Sequence, residues 1–242
     1  MARSLLFFLL LLHVSDVVGE TRECVILLHG LARTADSMVD LKEALTRAGY
    51  FVVNVDYPSR HKPVEELADI AVPEGLSQCE ENHALPISFV THSLGGILVR
   101  YYYKHHDHDH LKRVVMLGPP NQGSEVVDNL KDMPGFELLN GPAGRQLGTS
   151  EEDIPRQLGP VDFELGVIAG TRSINLILSS FLPNPDDGKV SVAATRVRGM
   201  CGFVALPATH PFMMGNDRVI QQVIHFLDQG KFEGEEARNY CE

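Results

Sequence analysis

Ser93 stands in the run Ile87-Ser88-Phe89-Val90-Thr91-His92-Ser93-Leu94-Gly95-Gly96-Ile97-Leu98-Val99, which is apolar on either side of a short polar break. Such a run predicts a buried strand turning sharply into a buried helix, with Ser93 at the tip and Gly95 leaving room for the two elements to approach. A serine held at a tight turn can act as a nucleophile only with help. It needs a base to take its proton, an acid to orient that base, and donors for the developing oxyanion. With 11 His and 32 Asp plus Glu in the chain, the residue types are plentiful and only placement can choose among them.

Thr91-His92-Ser93-Leu94-Gly95 resembles the nucleophile elbow of the α/β-hydrolase superfamily, G-x-S-x-G, with Thr91 in place of the first glycine. Bacterial lipase-like members of the superfamily vary at that position. Three further stretches extend the resemblance from Val25 to Leu227. Leu28-His29-Gly30-Leu31 is similar to the oxyanion loop of lipases. Pro185-Asp186-Asp187-Gly188-Lys189-Val190 is similar to the D-G-x-V segment in which bacterial lipases and esterases carry their acid. His210, in Leu206-Pro207-Ala208-Thr209-His210-Pro211, lies where these enzymes place the base. The resemblance therefore implies Ser93 as nucleophile, Asp187 as acid with Asp186 the second choice, and His210 as base, in the chain order Ser, Asp, His. It implies the backbone N–H groups of Leu31 and Leu94 as the oxyanion hole. Gly118-Pro119-Pro120-Asn121-Gln122-Gly123-Ser124 resembles the post-strand turn that helps shape lipase sites, and a helix start near Gly123 is an equal alternative.

Other groups that could do chemistry have plainer readings. Adjacent side chains point apart at a sharp turn, which argues against His92 as the base, and His29 reads as a structural hydrogen-bonding group. His105-His106-Asp107-His108-Asp109-His110 has donors that suit zinc or nickel, but it falls between a helix and a strand at the end remote from Ser93, and reads as a solvated loop. No metal or organic cofactor is expected, because acyl transfer through a serine needs none.

The elements that must hold these groups alternate along the chain. Cys24 to Leu28, Tyr50 to Val55, Ile87 to His92, Arg113 to Gly118, Phe163 to Gly170 and Phe203 to Leu206 have strand character. Between them lie helical patterns: one capped by Thr34 and ended by Gly49, one from Val64 to Ile70 that becomes irregular near Pro73 before resuming toward Cys79, one following Ser93 and ending in the tyrosines 101 to 103, and a last one over Val219, Ile220, Val223, Ile224 and Leu227 closed by Gly230. Continuous apolar strands alternating with helices predict a mostly parallel sheet covered on both faces. The fold class expected is α/β, an α/β-hydrolase fold with a small cap. The cap is assigned to 119–161, a long irregular connection rich in glycine and proline. Its apolar residues Val126, Val127, Leu130, Phe136, Leu138 and Leu139 are expected mostly to pack the cap onto the domain, and its many charges leave little apolar face. Soluble short or medium acyl esters, without strong activation at an oil–water surface, are the expected substrates.

Composition bounds the partners. A chain of 242 residues accommodates one domain, and a formal net charge of -11 repels nucleic acid and anionic membrane surfaces alike. Residues 1–19, with Arg3 ahead of the apolar stretch Leu5 to Leu12 and small residues after it, read as a secretory signal, which leaves 20–242 as the mature domain. The expected location is secreted or periplasmic, with no stable membrane insertion once the signal is removed. The four cysteines should all lie on the sheet edge opposite Ser93, where parallel strands begin. Cys24 with Cys79 and Cys201 with Cys241 is the favoured pairing, and four free thiols is the alternative. The expected partner is a small-molecule or lipid ester. An amidase or thioesterase with the same triad, or a binding protein on a hydrolase scaffold, remains open at this level.

Overall fold

The computed structural model describes residues 22–241, so the signal assigned to 1–19 lies outside the described residues. Strands β1 (Cys24–Leu28), β2 (Phe51–Val55), β3 (Ile87–His92), β4 (Leu111–Leu117), β5 (Leu165–Gly170), β6 (Gly202–Leu206) and β7 (Arg238–Asn239) form one sheet in the order β2-β1-β3-β4-β5-β6-β7. Every pairing is parallel except that of β7 with β6. This is the mostly parallel α/β architecture expected.

Strand β1 shows why the alternation in sequence yields layers. All five of its residues are buried, and they divide by parity: Cys24, Ile26 and Leu28 enter one core, Val25 and Leu27 the other. The first core is covered by α2 (Val64–Glu81) and α3 (Leu94–His105), the second by α1 (Val39–Arg47) and α8 (Asp217–Gln229). Helix α8 buries Val219, Val223, Phe226 and Leu227 along a single stripe, and each such side chain contributes about 1.5–3 kcal/mol. Gly230, with φ 70, stops the helix in the left-handed conformation that favours glycine.

Four local expectations are corrected. Thr34 makes no side-chain cap, because the chain first winds a tight turn of 3-10 helix at Ala35–Met38 before α1. Helix α2 runs unbroken through Pro73. Its face of Val64, Leu67, Ala68, Ala71, Val72, Gly75 and Cys79 is buried on both sides of the proline, and that packing outweighs the lost N–H donor. Helix α3 continues past the tyrosines to His105. Strand β7 had no counterpart in the sequence reading, since two exposed polar residues carry no strand signal.

The bridges Cys24–Cys79 and Cys201–Cys241 are both formed. Cys24 begins β1 in register with Phe51 and Ile87, the first residues of β2 and β3, so the first bridge sits on the edge where the strands start. The second ties the chain after β7 to the residue before β6. Loops of 55 and 40 residues are closed, each constraining the unfolded chain by about 4 kcal/mol in the chain-entropy account. On that same edge, His106 stacks on Tyr102 and His108 lies against Tyr103 and Phe163.

Candidate active site

The opposite edge, where parallel strands end, collects the loops after β1, β3, β4, β5 and β6, the place where open α/β sheets present their chemistry. Ser93 bridges β3 and α3 with φ 51 and ψ -115, a conformation that costs an L-residue on the order of 1–3 kcal/mol. The strain is held by its N–H donating to Leu117 O at 2.9 Å, and by neighbours with no side chain. A methyl at Gly95 would stand 2.6 Å from Leu28 O, and one at Gly30 would stand 2.6 Å from His92 Nδ1. The unusual Thr91 is accommodated the same way. It is fully buried, and Gly96 lies opposite, where a side chain would come within 3.2 Å of Thr91 Oγ1.

Asp187 and His210 are brought together by the loops that follow β5 and β6. Asp187 Oδ2 lies 2.7 Å from His210 Nδ1, while Oδ1 accepts from the N–H groups of Lys189 at 2.9 Å and Val190 at 2.8 Å. The His210 N–H donates to Asp187 O at 3.0 Å. A carboxylate can only accept, so the proton resides on Nδ1 and Nε2 is free to take another. Asp186 is turned elsewhere: its Oδ1 accepts from Ser179 Oγ and Gly188 N, both at 2.7 Å. Two glycines make the space, since a methyl at Gly118 would lie 2.9 Å from Asp187 Oδ2, and one at Gly170 2.7 Å from Asp187 Cβ. Ser93, Asp187 and His210 all line one cavity. The Ser93 hydroxyl itself makes no side-chain hydrogen bond among the described residues, a looseness that substrate closes in many hydrolases.

The loop after β1 folds as a turn closed by Arg33 N–H to Gly30 O at 3.3 Å, with Ala32 at φ 56 in its third position. Buried Ser59 holds that conformation, its Oγ accepting from Ala32 N–H at 3.1 Å. His29 stacks on Tyr57 with ring centroids 4.0 Å apart, and Tyr57 Oη donates to His29 O. Burial lowers the His29 pKa, so the ring is a neutral strut, as the sequence suggested. Leu31 N–H donates to no group among the described residues, and Leu94 N–H opens α3, where no helical carbonyl precedes it. Tyr57 and Ser59 escaped the sequence reading because nothing in Asp56-Tyr57-Pro58-Ser59 signals contact with a loop 27 residues earlier.

His92 packs beside His210. Its Nε2–H donates to His210 O at 3.0 Å, the rings lie 4.7 Å apart, and Nδ1 is buried without a partner. Burial, with His210 adding to it, drives its pKa well down, so the ring is neutral. Arg100 on α3 is a third residue missed in sequence. Its guanidinium bonds Asn121 O at 2.9 Å, Asn121 Oδ1 at 3.1 Å and Gly159 O at 2.6 Å, which ties both ends of the cap to the helix behind Ser93.

The cap segment contains α4 (Glu125–Leu130), α5 (Phe136–Arg145) and α6 (Ile154–Gln157). Ser124 starts α4 and donates its hydroxyl to Lys189 O at 2.7 Å, so the turn at Gly118 to Ser124 both shapes the site and begins a helix. Over Ser93 the cap walls a cavity of about 660 Å³. Val126, Val127, Leu130, Phe136 and Leu139 line it, and Val127, Phe136 and Leu130 also pack against the domain core as expected, so the same side chains do both. The expected lack of an apolar face is corrected. Leu138 is 84% exposed, and across the cavity α7 (Leu176–Ser179) exposes Leu176 at 80% and Ile177 at 75%. Neither segment alone carries this rim, and the fold assembles it from both.

No family model matches the chain, and no curated protein matches it. Solved structures do. The chain superposes on a Bacillus licheniformis lipase in its mature form with TM-score 0.66 and 18% identity, over 85% of this chain and 93% of that one. Legionella pneumophila phospholipase PlaB gives TM-score 0.64 and 16% identity over 85% of this chain and 59% of that one. Aspergillus fumigatus lipase B gives 0.65 and 14% over 86% and 53%, so this chain spans little more than half the length of the last two. At such identities the likeness is one of fold, and the chain has the α/β-hydrolase fold.

Proposed function

We propose that the protein is a serine hydrolase that cleaves carboxylic esters, with Ser93, His210 and Asp187 as its catalytic triad. The observation that carries this reading is the Asp187–His210 pair, set at 2.7 Å in the tautomer that leaves Nε2 free, in the same cavity as a strained serine. His210 Nε2 takes the Ser93 proton as Oγ attacks the ester carbonyl, and Asp187 holds the imidazolium that forms. The N–H groups of Leu31 and Leu94 bind the oxyanion, and His210 returns the proton to the leaving alcohol. Water then releases the acid from Ser93 by the same steps. The apolar cavity suits an acyl chain, and two lipases and a phospholipase are among the proteins of this shape. The mature unit is 20–242, with 119–161 as its cap. Two disulfides and the signal assigned to 1–19 support action outside the cytoplasm, and no helix among the described residues is long and apolar enough to cross a membrane.

The test is a panel of p-nitrophenyl esters of increasing chain length, run beside a fluorophosphonate probe. Labelling and turnover in the native chain, both lost in Ser93→Ala, are expected. Labelling without ester turnover, but with cleavage of a matched anilide or thioester, would move the reading to an amidase or thioesterase. No labelling at all would make it a binding scaffold.

A further inference from the structure

We infer that the ester this site takes carries an anionic group on its alcohol side, held by Arg33 and Lys189 at the mouth of the cavity. The inference rests on the proposed ester hydrolysis at Ser93 and adds the substrate class. Five ionisable residues line the cavity: Arg33, His92, Asp187, Lys189 and His210. His92 is neutral and Asp187 is engaged by His210 and two backbone N–H groups, so no free carboxylate remains to face the two cations.

Neither cation forms a salt bridge among the described residues, although Asp plus Glu outnumber Lys plus Arg by 32 to 21. Arg33 leaves the oxyanion turn and reaches only Pro211 O, at 3.4 Å, beside His210. Lys189 leaves the acid loop, its own N–H bound to Asp187 Oδ1 at 2.9 Å. Thus the loops that carry the oxyanion donor and the acid each place one unpaired cation next to the reacting centre. Both side chains are exposed at this mouth, and the Lys189 pKa is pulled down by desolvation of the ammonium, opposed first by Asp187, with Arg33 adding a smaller lowering. Arg33 also lines a neighbouring groove of about 450 Å³ with Arg60, where Asp36 is the one carboxylate. The rest of the cavity lining is largely apolar, with Val126, Val127, Leu130, Phe136 and Leu147 among it. An ester has two arms. The apolar part of the lining takes the acyl chain, which leaves the cationic mouth for the alcohol. Two unpaired cations in an acidic protein focus potential on that mouth, and a guanidinium beside an ammonium suits a phosphate or a carboxylate.

The experiment compares kcat/KM for 4-nitrophenyl butyrate, 3-carboxy-4-nitrophenyl butyrate and 3-(trimethylammonio)phenyl butyrate, each divided by its hydroxide rate. Dihexanoyl phosphatidic acid against dihexanoylglycerol distinguishes a lipid phosphate from a carboxylate. Mono-4-nitrophenyl glutarate places the anion on the acyl side. At low salt the anionic alcohol arm should win at least tenfold over the neutral one in one of the two pairs, with the cationic ester slowest. The advantage should shrink in 0.5 M NaCl. Arg33→Gln and Lys189→Gln should each reduce the anionic-to-neutral ratio about fivefold, and the double variant further. Equal ratios in native and variant protein, or a preference for the glutarate, would overturn the inference while leaving ester hydrolysis standing. Absence of turnover on every ester would instead remove the reading on which it rests.

Discussion

The side chain of His92 donates a hydrogen bond to the main-chain oxygen of His210 at 3.0 Å, so the residue beside the serine holds the backbone of the proposed base. Rotation of either segment would break the bond and leave a buried carbonyl unpaired. On this account His92 is a positioning residue. His92→Ala should lower kcat about 10- to 100-fold with little change in KM, because displacement of a catalytic group by about 1 Å costs that much. His92→Gln, whose amide can donate, should recover part of the loss. Equal recovery by Gln and Leu would show that the ring only fills space.

The two neighbouring aspartates should separate cleanly. Asp187→Asn is expected to cost roughly 10⁴-fold in kcat, since the wrong tautomer of His210 is then favoured. Asp186→Asn keeps an oxygen to accept from Ser179 and Gly188, and should cost less than about tenfold. Steady-state kinetics on p-nitrophenyl butyrate decides. A larger loss at Asp186 would reassign the acid.

Stability should fall on mild acidification. The pKa values of His29 and His92 are both lowered from 6.5 by burial, so below that pH the unfolded chain binds protons that the folded chain refuses. The stabilisation these neutral rings represent is complete above about 6.5. It is lost progressively as pH falls from there through their folded values, approaching about 1.4 kcal/mol per pH unit for each ring. Urea unfolding at pH 7.5, 6.5, 5.5 and 4.5 measures it. A flat profile between 6.5 and 5.5 would show that the rings are solvated.

Arg100 should matter to the cap as much as to the core. Arg100→Leu leaves the carbonyls of Asn121, Pro155 and Gly159 without their donor, at a cost of about 2–4 kcal/mol. For a chain of this size that is a fall of roughly 4–16 °C in Tm. Faster proteolysis within 119–161 should accompany it. Calorimetry with limited digestion tests both, and an unchanged digestion pattern would confine Arg100 to the core.

The exposed rim changes what is expected at a lipid surface. The cavity is already open, so rate on tributyrin should grow in a saturable way with droplet area rather than jump as a lid opens. Leu176→Ser with Ile177→Ser should weaken adsorption at least tenfold, because even half-burial of each side chain in lipid contributes about 1 kcal/mol. Neither residue lines the cavity, so hydrolysis of soluble p-nitrophenyl acetate should follow the native rate. An equal drop on both substrates would place α7 in the site itself.

The features legible along the chain were local and periodic. The five apolar residues of β1, the stripe of α8 and the small residues around Ser93 specify strand, helix and elbow through side-chain spacing, which needs no partner to be read. Motif order was enough to nominate Asp187 and His210, and the cysteine positions were enough to favour their pairing. The motif ranked Asp187 above Asp186, but the contact itself, Asp187 Oδ2 on His210 while Asp186 turns to Ser179 and Gly188, exists only once sheet register lays the loops after β5 and β6 side by side. The same holds for Arg100, whose partners lie 21 and 59 residues away, and for Ser59 under Ala32. Pro73 shows the reverse case, a strong local signal overridden by burial on either side of it. The apolar cavity and its rim, built from the cap and α7 together, exist in neither segment alone, for a surface made of distant residues has no period along the chain.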